Sequence, residues 1–597
     1  MKPNIPLSVW ASMLEDYDVL RYYSFRQAHT PAVAEDGTLY FVSDISGKPE
    51  IWFIPREHAF PVQLTFLDGY VSAIKPWAKG LVFQFDPDGS EEHRLMCVGG
   101  GGDLSSLSGE PKKGVIYRLG GASANMLSYA SNKRSAPFFD SYVSIGGREE
   151  LVFEYDGTTQ PHGFSADGRL LLVSMSITNL DNDVYVVDLE RRVSKKLFEH
   201  SDEALTVEPT WGPDGLVYTC TNMGDEFMQP VVFDPSTGRV SWLSRESWDA
   251  EHIAVSDEGL IAYTRNKEGY SELHIMDSTR KEVFSKGFEG TVSELVFAPG
   301  VLYFTYSGWD TNTNIHALDL PSFSVRRVTN ASRGYLGTVI RPSLEAYESY
   351  DGLRIPMFVY TPARGGDGAT QPYPVIAYVH GGPESQKRVD YDGQIQFFLS
   401  QGYAVITPNV RGSTGYGKSY THLDDVRRRL DSVKDLAWLV KWIEADPRFD
   451  ETRVCVMGRS YGGYMVLAAL AFYPELWRCG VEAVGIANLE TFLRNTSVWR
   501  RKLREAEYGS LEKDLDFLRE ASPLNQAHRI RAPLLIQHGS NDPRVPLSES
   551  KAIVERIRAQ GGTAELVVFE DEGHMIQNIQ NRLKWATTLR DFLKKYL

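Results

Sequence analysis

The chain has 597 residues, of which 42% are hydrophobic and 24% charged, and its formal net charge is −15. One hydrophobic core rarely serves so long a chain, so we expect at least two domains in an ordinary globular protein. Lysine and arginine residues are scattered rather than clustered. This argues against a nucleic-acid partner, because such binding requires a basic surface.

The N-terminal 22 residues contain acidic side chains and no apolar core, so we do not interpret them as a signal peptide. Val9, Met13 and Leu14 follow helical spacing and indicate a short helix. No apolar run approaches the length of a membrane span, so no membrane partner is expected. The four cysteines lack metal-ligand spacing and favour free thiols in a reducing compartment. The sequence therefore predicts a cytoplasmic protein.

Between about residue 30 and residue 330, short apolar strands alternate with turn signals in a repeating pattern. Strands that run into an aspartate recur every 42 to 46 residues, about the length of a four-stranded propeller blade. These aspartates are Asp188, Asp234, Asp277 and Asp319. Turn glycines before an apolar strand follow a similar interval, and they are Gly37, Gly80, Gly168, Gly215, Gly259 and Gly300.

The interval between Gly80 and Gly168 is doubled, so one blade lacks this marker. We assign the turn of that blade to the segment around Asn132 and Lys133. The repeats predict a seven-bladed β-propeller over residues 26–335, because a closed ring buries faces that one twisted sheet leaves exposed. A β-sandwich, the competing architecture, does not predict so steady a period.

From residue 336 to residue 597, apolar strands alternate with helices. We predict strands over residues 375–379, 404–407 and 454–457, and helices over residues 394–400, 432–445 and 582–596. This alternation is typical of a mostly parallel sheet with helices on both faces. The predicted architecture is therefore a two-domain protein, a seven-bladed β-propeller plus an α/β-hydrolase fold.

The strongest local signal is Gly458-Arg459-Ser460-Tyr461-Gly462, which lies between a predicted buried strand and a helix. This is the setting of a nucleophile elbow, a turn so tight that its flanking glycines must lack side chains. Ser460 is then exposed near a helix N-terminus, where developing negative charge is stabilised. We predict that Ser460 is a catalytic nucleophile.

A serine hydroxyl needs a base that removes its proton and an acid that orients the base. In α/β-hydrolases these residues follow in the order serine, acid, histidine. His574 follows a predicted strand and is the predicted base. His528 lies before a strand, at the wrong edge of the sheet, and we interpret His538 as a residue that fixes a turn.

Asp542 lies in a loop after a predicted strand and is the predicted acid. Asp571 is the alternative, but it lies too close in sequence to the histidine to reach back easily. The oxyanion hole requires two donors. One is the backbone N–H of Tyr461, and the other should come from the loop His380-Gly381-Gly382-Pro383, where we interpret His380 as a packing or hydrogen-bonding residue. This chemistry requires no metal ion and no cofactor.

With these motifs the sequence resembles the prolyl oligopeptidase family of serine peptidases, and within it the acylaminoacyl peptidases (acylpeptide hydrolases). The resembling segments span the C-terminal domain and comprise residues 380–383, 409–417, 458–464, 541–546 and 573–574. The N-terminal half resembles the family in architecture more than in motifs. The resemblance implies that residues 1–25 form a helical segment packed on the hydrolase domain.

The resemblance also implies substrate-binding residues. Arg544 matches an arginine that binds the carbonyl of the substrate residue before the cleaved one, a role suited to a guanidinium. A surface salt bridge is the alternative for Arg544. Glu91 matches a propeller glutamate near that arginine, and a solvated acid is its alternative. Prolyl oligopeptidases proper place a tyrosine in the oxyanion hole, whereas the double glycine here favours the backbone N–H of Gly382.

The implied function is a serine peptidase that removes an N-terminal, N-acylated residue from short peptides through an acyl-enzyme. A dipeptidyl peptidase or an oligopeptidase of the same family is an alternative, since Glu91 and Glu92 form an acidic pair. An esterase for small esters and a non-enzymatic propeller scaffold are further alternatives. Phe492, Val498 and Trp499 are candidates for an apolar pocket or for the core. The oligomeric state, a homo-oligomer included, is left open.

Overall fold

The computed structural model describes residues 16–56, 59–78, 80–363 and 370–597. Residues 16–23 are helical and are called α1. The predicted helical spacing of Val9, Met13 and Leu14 lies outside the described residues. Among the described residues, no helix combines the length and the apolar character that crossing a bilayer requires.

The N-terminal half contains five antiparallel sheets of four strands each, in which consecutive strands pair with their neighbours along the chain. Their strands are β1 (Ala28–Val33), β2 (Leu39–Ser43), β3 (Glu50–Ile54), β4 (Val62–Gln63), β5 (Tyr70–Trp77), β6 (Gly80–Asp86), β7 (Arg94–Gly99), β8 (Leu104–Ser106), β17 (Thr206–Trp211), β18 (Val217–Thr221), β19 (Gln229–Phe233), β20 (Val240–Trp242), β21 (Asp249–Val255), β22 (Ile261–Lys267), β23 (Tyr270–Met276), β24 (Glu282–Gly287), β25 (Gly290–Ala298), β26 (Val301–Gly308), β27 (Thr311–Asp319) and β28 (Ser324–Arg327).

A sixth sheet has eight strands. They are β9 (Tyr117–Ser123), β10 (Met126–Ser135), β11 (Phe138–Ile145), β12 (Arg148–Phe153), β13 (Thr158–Phe164), β14 (Leu170–Ser176), β15 (Asn182–Asp188) and β16 (Val193–Lys196). Strands β9 to β12 and strands β13 to β16 are each antiparallel, and one parallel residue pair, Phe139 with Thr158, joins the two groups.

The sheets form a closed ring. The first strands contact one another in the order β1, β5, β9, β13, β17, β21 and β25, and β25 returns to β1. Apolar clusters fill the spaces between adjacent sheets, and one of them joins Phe41 of β2 to Ile315 of β27 across the closure. The N-terminal half is therefore a β-propeller, as the repeating aspartates and glycines predicted.

The repeating residues lie at equivalent places in the sheets. Each of the four aspartates lies at the end of the third strand in its group of four. Asp188 and Asp319 are the last residues of β15 and β27, and Asp234 and Asp277 directly follow β19 and β23. Five of the six turn glycines have φ between 71° and 83°, a region that favours glycine. The assignment of a turn to Asn132 and Lys133 was wrong, because both lie inside β10. The turn before that strand is at Ala124, whose φ is 40°.

The C-terminal half contains one eight-stranded sheet with the order β29-β30-β32-β31-β33-β34-β35-β36. Strands β29 and β30 pair antiparallel at one edge, and the strands from β32 to β36 are parallel. Their bounds are β29 (Ser343–Glu348), β30 (Arg354–Tyr360), β31 (Tyr373–Val379), β32 (Ala404–Pro408), β33 (Phe449–Arg459), β34 (Cys479–Ala483), β35 (Leu534–Gly539) and β36 (Ala564–Phe569).

The helices of this half are α2 (Gly393–Ser400), α3 (Lys418–Thr421), α4 (Arg429–Ala445), α5 (Tyr461–Phe472), α6 (Leu489–Asn495), α7 (Val498–Tyr508), α8 (Leu515–Glu520), α9 (Leu547–Arg558) and α10 (Ile579–Tyr596). Short 3₁₀ helices occupy His422–Asp424, Val426–Arg428 and Pro523–Arg529. One apolar core packs α4, α5 and α9 against the sheet, and a second packs α2 and α10. Helices therefore cover both faces, which defines the predicted α/β-hydrolase fold.

Helix α1 lies against the C-terminal half. Its buried Val19, Tyr22 and Tyr23 belong to the core that contains α2 and α10. The rings of Tyr22 and Tyr23 each lie 5.7 Å from the ring of Phe397 in edge-on geometry. The described chain therefore begins on the hydrolase half, and it enters the propeller only at β1.

Candidate active site

Ser460 occupies a tight turn between the end of β33 and the start of α5. Its φ of 57° and ψ of −118° are strained for a residue with a side chain. A Cβ added at Gly458 would lie 2.3 Å from the carbonyl oxygen of Gly462, and one added at Gly462 would lie 2.3 Å from that of Val379. The turn therefore requires both glycines, as a nucleophile elbow does.

Three side chains form a hydrogen-bonded series at the C-terminal edge of the sheet. Nε2 of His574 lies 3.0 Å from Oγ of Ser460, and Nδ1 of His574 lies 2.6 Å from Oδ2 of Asp542. The other carboxylate oxygen of Asp542 accepts the backbone N–H groups of Arg544 and Val545, at 2.8 and 3.1 Å. Asp542 is thus held in place, and it can orient the imidazole towards the serine.

The competing residues do not reach the serine, although Nε2 of His538 lies 3.7 Å from Oδ2 of Asp542. His538 is buried, and its ring nitrogens bond to Oγ of Ser550 and to the carbonyl of Val545. His528 is exposed in a 3₁₀ helix. Asp571 is exposed and accepts from the side chain of Asn581 at 2.9 Å. None of these three residues contacts Ser460 in the part of the chain that the structure describes.

The electrostatics keep the imidazole neutral near pH 7. Burial lowers the pKa of His574 to about 4, and the opposing influence of Asp542 offsets only part of this. Burial alone would raise the pKa of Asp542, but the hydrogen bond and charge of His574 outweigh it, so this pKa is lowered. The site thus pairs a neutral base with an ionised carboxylate, which is the resting state that general-base catalysis needs.

The glycine-rich loop after β31 lies against the elbow. A Cβ added at Gly381 would lie 3.4 Å from Cβ of Ser460, and the next residue, Gly382, has φ of 135°. His380 is bound at both ring nitrogens, to the carbonyl of Gly381 and to Oγ of Ser413, each at 2.8 Å. His380 therefore supports this loop, which agrees with its predicted hydrogen-bonding role.

A cavity of about 770 Å³ lies between the propeller and the hydrolase fold, and His574 is on its wall. Glu91 reaches into it from the propeller. Its Oε1 lies 2.6 Å from Nε of Arg544, and its Oε2 lies 2.5 Å from an Nη of Arg500. Burial alone would raise the pKa of Glu91, but the two arginines hold it lowered. The structure thus brings Glu91 and Arg544 together across the two halves.

The propeller also touches the loop that carries His574. A Cβ added at Gly573 would lie 1.8 Å from the carbonyl oxygen of Gly89, so the two backbones are in close contact. The side-chain amide of Asn541 donates to the carbonyl of Asp88 at 3.0 Å. Carboxylate oxygens of Asp86 accept backbone N–H groups of the same turn, including that of Glu91. One propeller turn therefore positions Glu91 beside the histidine.

Sequence reasoning missed two arginines that line this cavity. Arg500 is the second partner of Glu91. The guanidinium carbon of Arg118 lies 3.9 Å from the ring centroid of Phe139 and 4.4 Å from that of Trp499. Burial, assisted by the charge of Arg500, lowers the pKa of Arg118 to about 10. No sequence signal linked these residues, because they come from separate segments of the chain.

The residues predicted for an apolar pocket separate into three environments. Trp499 lines the cavity. Phe492 is 3% exposed and packs in the core against Tyr508. Val498 is 49% exposed. Only Trp499 of the three therefore lies where a substrate could contact it in this structure.

A group of acids also lies near the hydrolase core, where Asp424, Asp425 and Glu507 have carboxylate oxygens close together. Arg429 forms ion pairs with Asp424 and Glu507. Asp425 binds Nδ1 of His422 at 2.6 Å. Protein cations therefore already compensate these carboxylates.

The fold and this site define a serine-hydrolase arrangement beneath a propeller. Residues 389–597 match the model of the prolyl oligopeptidase family. A crystal structure of puromycin hydrolase superposes with a TM-score of 0.85 at 18% identity, covering 97% of this chain and 96% of that one. At this identity the superposition shows a shared fold. Residues 389–597 therefore form a domain of the prolyl oligopeptidase family.

Two of the relatives in sequence carry names for different activities. Dipeptidyl aminopeptidase BIII of Pseudoxanthomonas mexicana is 35% identical over 463 residues, which are 75% of this chain and 61% of that protein. The acylamino-acid-releasing enzyme of Sus scrofa is 24% identical over 260 residues, which are 41% of this chain and 35% of that protein. The matches thus span less than two thirds of either relative, and the subgroup is unresolved between them.

Proposed function

We propose that the protein is a serine peptidase that acts by acyl transfer. Ser460 attacks the peptide carbonyl, His574 takes its proton and later protonates the leaving amine, and Asp542 stabilises the imidazolium. The backbone N–H groups of Tyr461 and Gly382 bind the oxyanion. Water then releases the acyl group from the serine. The observation that carries this proposal is the series of contacts at 3.0 and 2.6 Å from Ser460 to Asp542.

The substrates that fit this site are short peptides. The reacting serine lies 3.0 Å from His574, which lines a cavity between the two domains, and in this proposal the propeller limits access to short peptides. In this proposal Arg544 binds the carbonyl of the substrate residue before the cleaved one. Arg544 suits this role because it lines the cavity and follows the loop of Asp542. No nucleic acid, membrane, metal ion or cofactor takes part.

The finer proposal is that the substrate carries a blocked, N-acylated first residue. Glu91 is already bound by Arg500 and Arg544. Arg118 adds a positive charge to the same cavity, while Glu294 and Asp86, the other acids on its wall, are bound to Thr30 and to backbone N–H groups. Each acid on this wall is thus already bound by a donor of the protein itself, which supports a substrate with an uncharged acyl end over one that needs an acid for its ammonium group.

Release of dipeptides is the second candidate. It is supported by the 35% identity to a protein named dipeptidyl aminopeptidase BIII. In that case Glu91 would bind the substrate ammonium in competition with the two arginines. An esterase for small esters and a propeller scaffold without catalysis are the remaining alternatives.

One substrate panel separates these candidates. We expect the chromogenic anilide of an N-acetylated amino acid to be cleaved with a higher kcat/KM than a free-amine dipeptide anilide or a p-nitrophenyl ester. Faster cleavage of the dipeptide would establish the second candidate. A higher kcat/KM for the ester would favour an esterase. Failure of the protein to react with a fluorophosphonate would contradict serine catalysis altogether.

We further propose that the propeller has seven blades and that the domains span residues 26–335 and 336–597, with residues 1–25 belonging to the hydrolase domain. The blade count rests on dividing the eight-stranded sheet at its single parallel pair. The packing of α1 on α2 supports the place of the N-terminal segment. A cytoplasmic location stays a prediction, supported by four free cysteine thiols.

A further inference from the structure

A second cavity lies behind the nucleophile elbow. Its volume is about 170 Å³, and it shares no lining residue with the cavity that contains His574. The C-terminal end of β33, the strand β35, the helices α1, α2 and α10 and the segment after α1 contribute to its walls. The proposed peptidase mechanism uses none of its side chains.

Arg459, the residue directly before Ser460, lines this cavity. Arg459 is half-buried, and burial lowers the pKa of its guanidinium. Its Nη2 atom is buried without a hydrogen-bond partner. Within the described ranges, the side chain makes no hydrogen bond and no ion pair. A charge held partly out of water without a direct partner is unfavourable unless something compensates it.

Other polar atoms on the same wall also lack partners. Gln537 is 1% exposed, and neither its Nε2 nor its Oε1 has a hydrogen-bond partner among the described residues. Oη of Tyr23 and Nε of Arg582 are buried and unpartnered as well. Buried polar groups are almost always hydrogen-bonded in folded proteins. Together with Nη2 of Arg459, these side chains have five unpartnered atoms, of which four are donors, so donors outnumber acceptors on the described wall.

The positive charge of Arg459 has no counter-charge on this wall. Asp392 is the one acid among the described lining residues. Its Oδ1 accepts the backbone N–H groups of Gln394 and Ile395, and its Oδ2 accepts from Lys387. Arg582, the other lining arginine, lies 3.5 Å from Asp44. Within the described lining, Arg459 therefore has no free counter-charge, and the acids that act on its charge, Asp542 and Glu572, lie outside this wall.

We propose that this cavity is a binding site for a small monovalent anion, a halide or a short carboxylate, held by Arg459 with Gln537 and Tyr23. An anion supplies both the missing acceptors and the missing negative charge. A cavity needs about 10–15 Å³ to hold one water molecule. The volume of about 170 Å³ therefore leaves room for an anion and several waters. Binding itself does not depend on the proposed peptidase activity.

Occupancy of the site would affect the catalytic base. Burial is the main cause of the lowered pKa of His574, and the charge of Arg459 adds to it. Asp542, Arg544 and Glu91 are the other charged groups that act on this imidazole. An anion beside Arg459 would offset its charge, so the acidic limb of kcat/KM would move to higher pH on binding.

The direct test is a crystal of the full chain equilibrated with sodium bromide, measured at the bromine absorption edge. We expect an anomalous peak in the cavity within hydrogen-bonding distance of the Arg459 guanidinium. A cavity that holds only water under these conditions would overturn the proposal. This measurement needs no variant and no substrate.

Thermal unfolding supplies a test in solution. Chloride should raise the Tm of the wild-type protein saturably by about 2 °C or more, relative to the sodium salt of a large organic sulfonate at equal ionic strength. Arg459→Met and Gln537→Leu should lose this increment. Arg453→Met is the matched control, because Arg453 lies on the same strand, is 42% exposed and pairs with Asp450.

Equal chloride increments in the wild type and in Arg459→Met would contradict the site. If Arg459→Met does not fold, Gln537→Leu and Tyr23→Phe provide the same comparison. A chloride-dependent shift of the acidic limb in the wild type, absent in these variants, would establish the link to His574. Bromide binding in a protein without peptidase activity would keep this site and reject only the proposed function.

Discussion

The two halves of the molecule contribute different things to the active site. The hydrolase half supplies every group that the proposed mechanism requires for bond breaking, within one sheet edge and its loops. The propeller supplies walls and charges, among them Glu91 and Arg118. This division indicates that the chemistry is local to one domain, whereas the choice of substrate depends on contacts between the two.

The largest expected effect comes from removing the hydroxyl of Ser460. Ser460→Ala should lower kcat by about 10⁴–10⁶-fold on every substrate, because loss of a triad member removes nucleophilic catalysis as a whole. Measurement of kcat for an N-acetylated amino-acid anilide tests this. Ser236→Ala, at an exposed propeller turn, is the control and should keep wild-type activity. Retention of more than about a tenth of the activity in Ser460→Ala would refute the assignment of the nucleophile.

A smaller loss of activity should follow the substitution of Glu91, which the propeller contributes to the cavity. Glu91→Gln removes the charge that holds Arg500 and Arg544, and a hydrogen bond to a charged group contributes about 1.5–3 kcal/mol. We expect kcat/KM for peptides to fall about 10- to 100-fold. The rate for a small p-nitrophenyl ester should barely change, because a small ester need not reach Glu91.

The matched control for this prediction is Glu92→Gln, since the Glu92 side chain accepts only from the backbone N–H of Gly114 in the described structure. An equal loss on peptide and ester in Glu91→Gln would mean that the propeller affects the chemistry itself. That outcome would break the division between the two halves.

The smallest effect concerns pH. His574 must be neutral to accept the serine proton, so activity is lost as pH falls through its pKa. Because burial lowers that pKa to about 4, the acidic limb of kcat/KM should lie near pH 4 rather than near 6.5. At pH 5.5 this gives roughly tenfold more activity than an unperturbed histidine would. A pH profile of the stable wild-type protein with a neutral substrate measures it, and a limb near 6.5 would contradict the structure.

Much of the fold could be predicted from the sequence, because the patterns that indicate strands, helices and turns lie within short segments of the chain. The alternation of strands and helices predicted the sheet of the hydrolase half. The helix predicted over residues 432–445 extends to Arg429–Ala445, and the one over residues 582–596 extends to Ile579–Tyr596. In the propeller, the error at Asn132 and Lys133 arose because polar residues inside β10 resemble a turn in sequence.

The sequence by itself determined the nucleophile elbow and the order of candidate serine, acid and histidine, because glycine spacing and strand ends are encoded in short segments. Only the tertiary structure decided that Glu91 lies between Arg500 and Arg544 and that Arg118 packs between Phe139 and Trp499. It also decided that Nη2 of Arg459 has no hydrogen-bond partner among the described residues. These arrangements join segments separated by up to hundreds of residues. The strength of these charge interactions depends on the distance between the groups and on their burial, and both are set only when the chain folds.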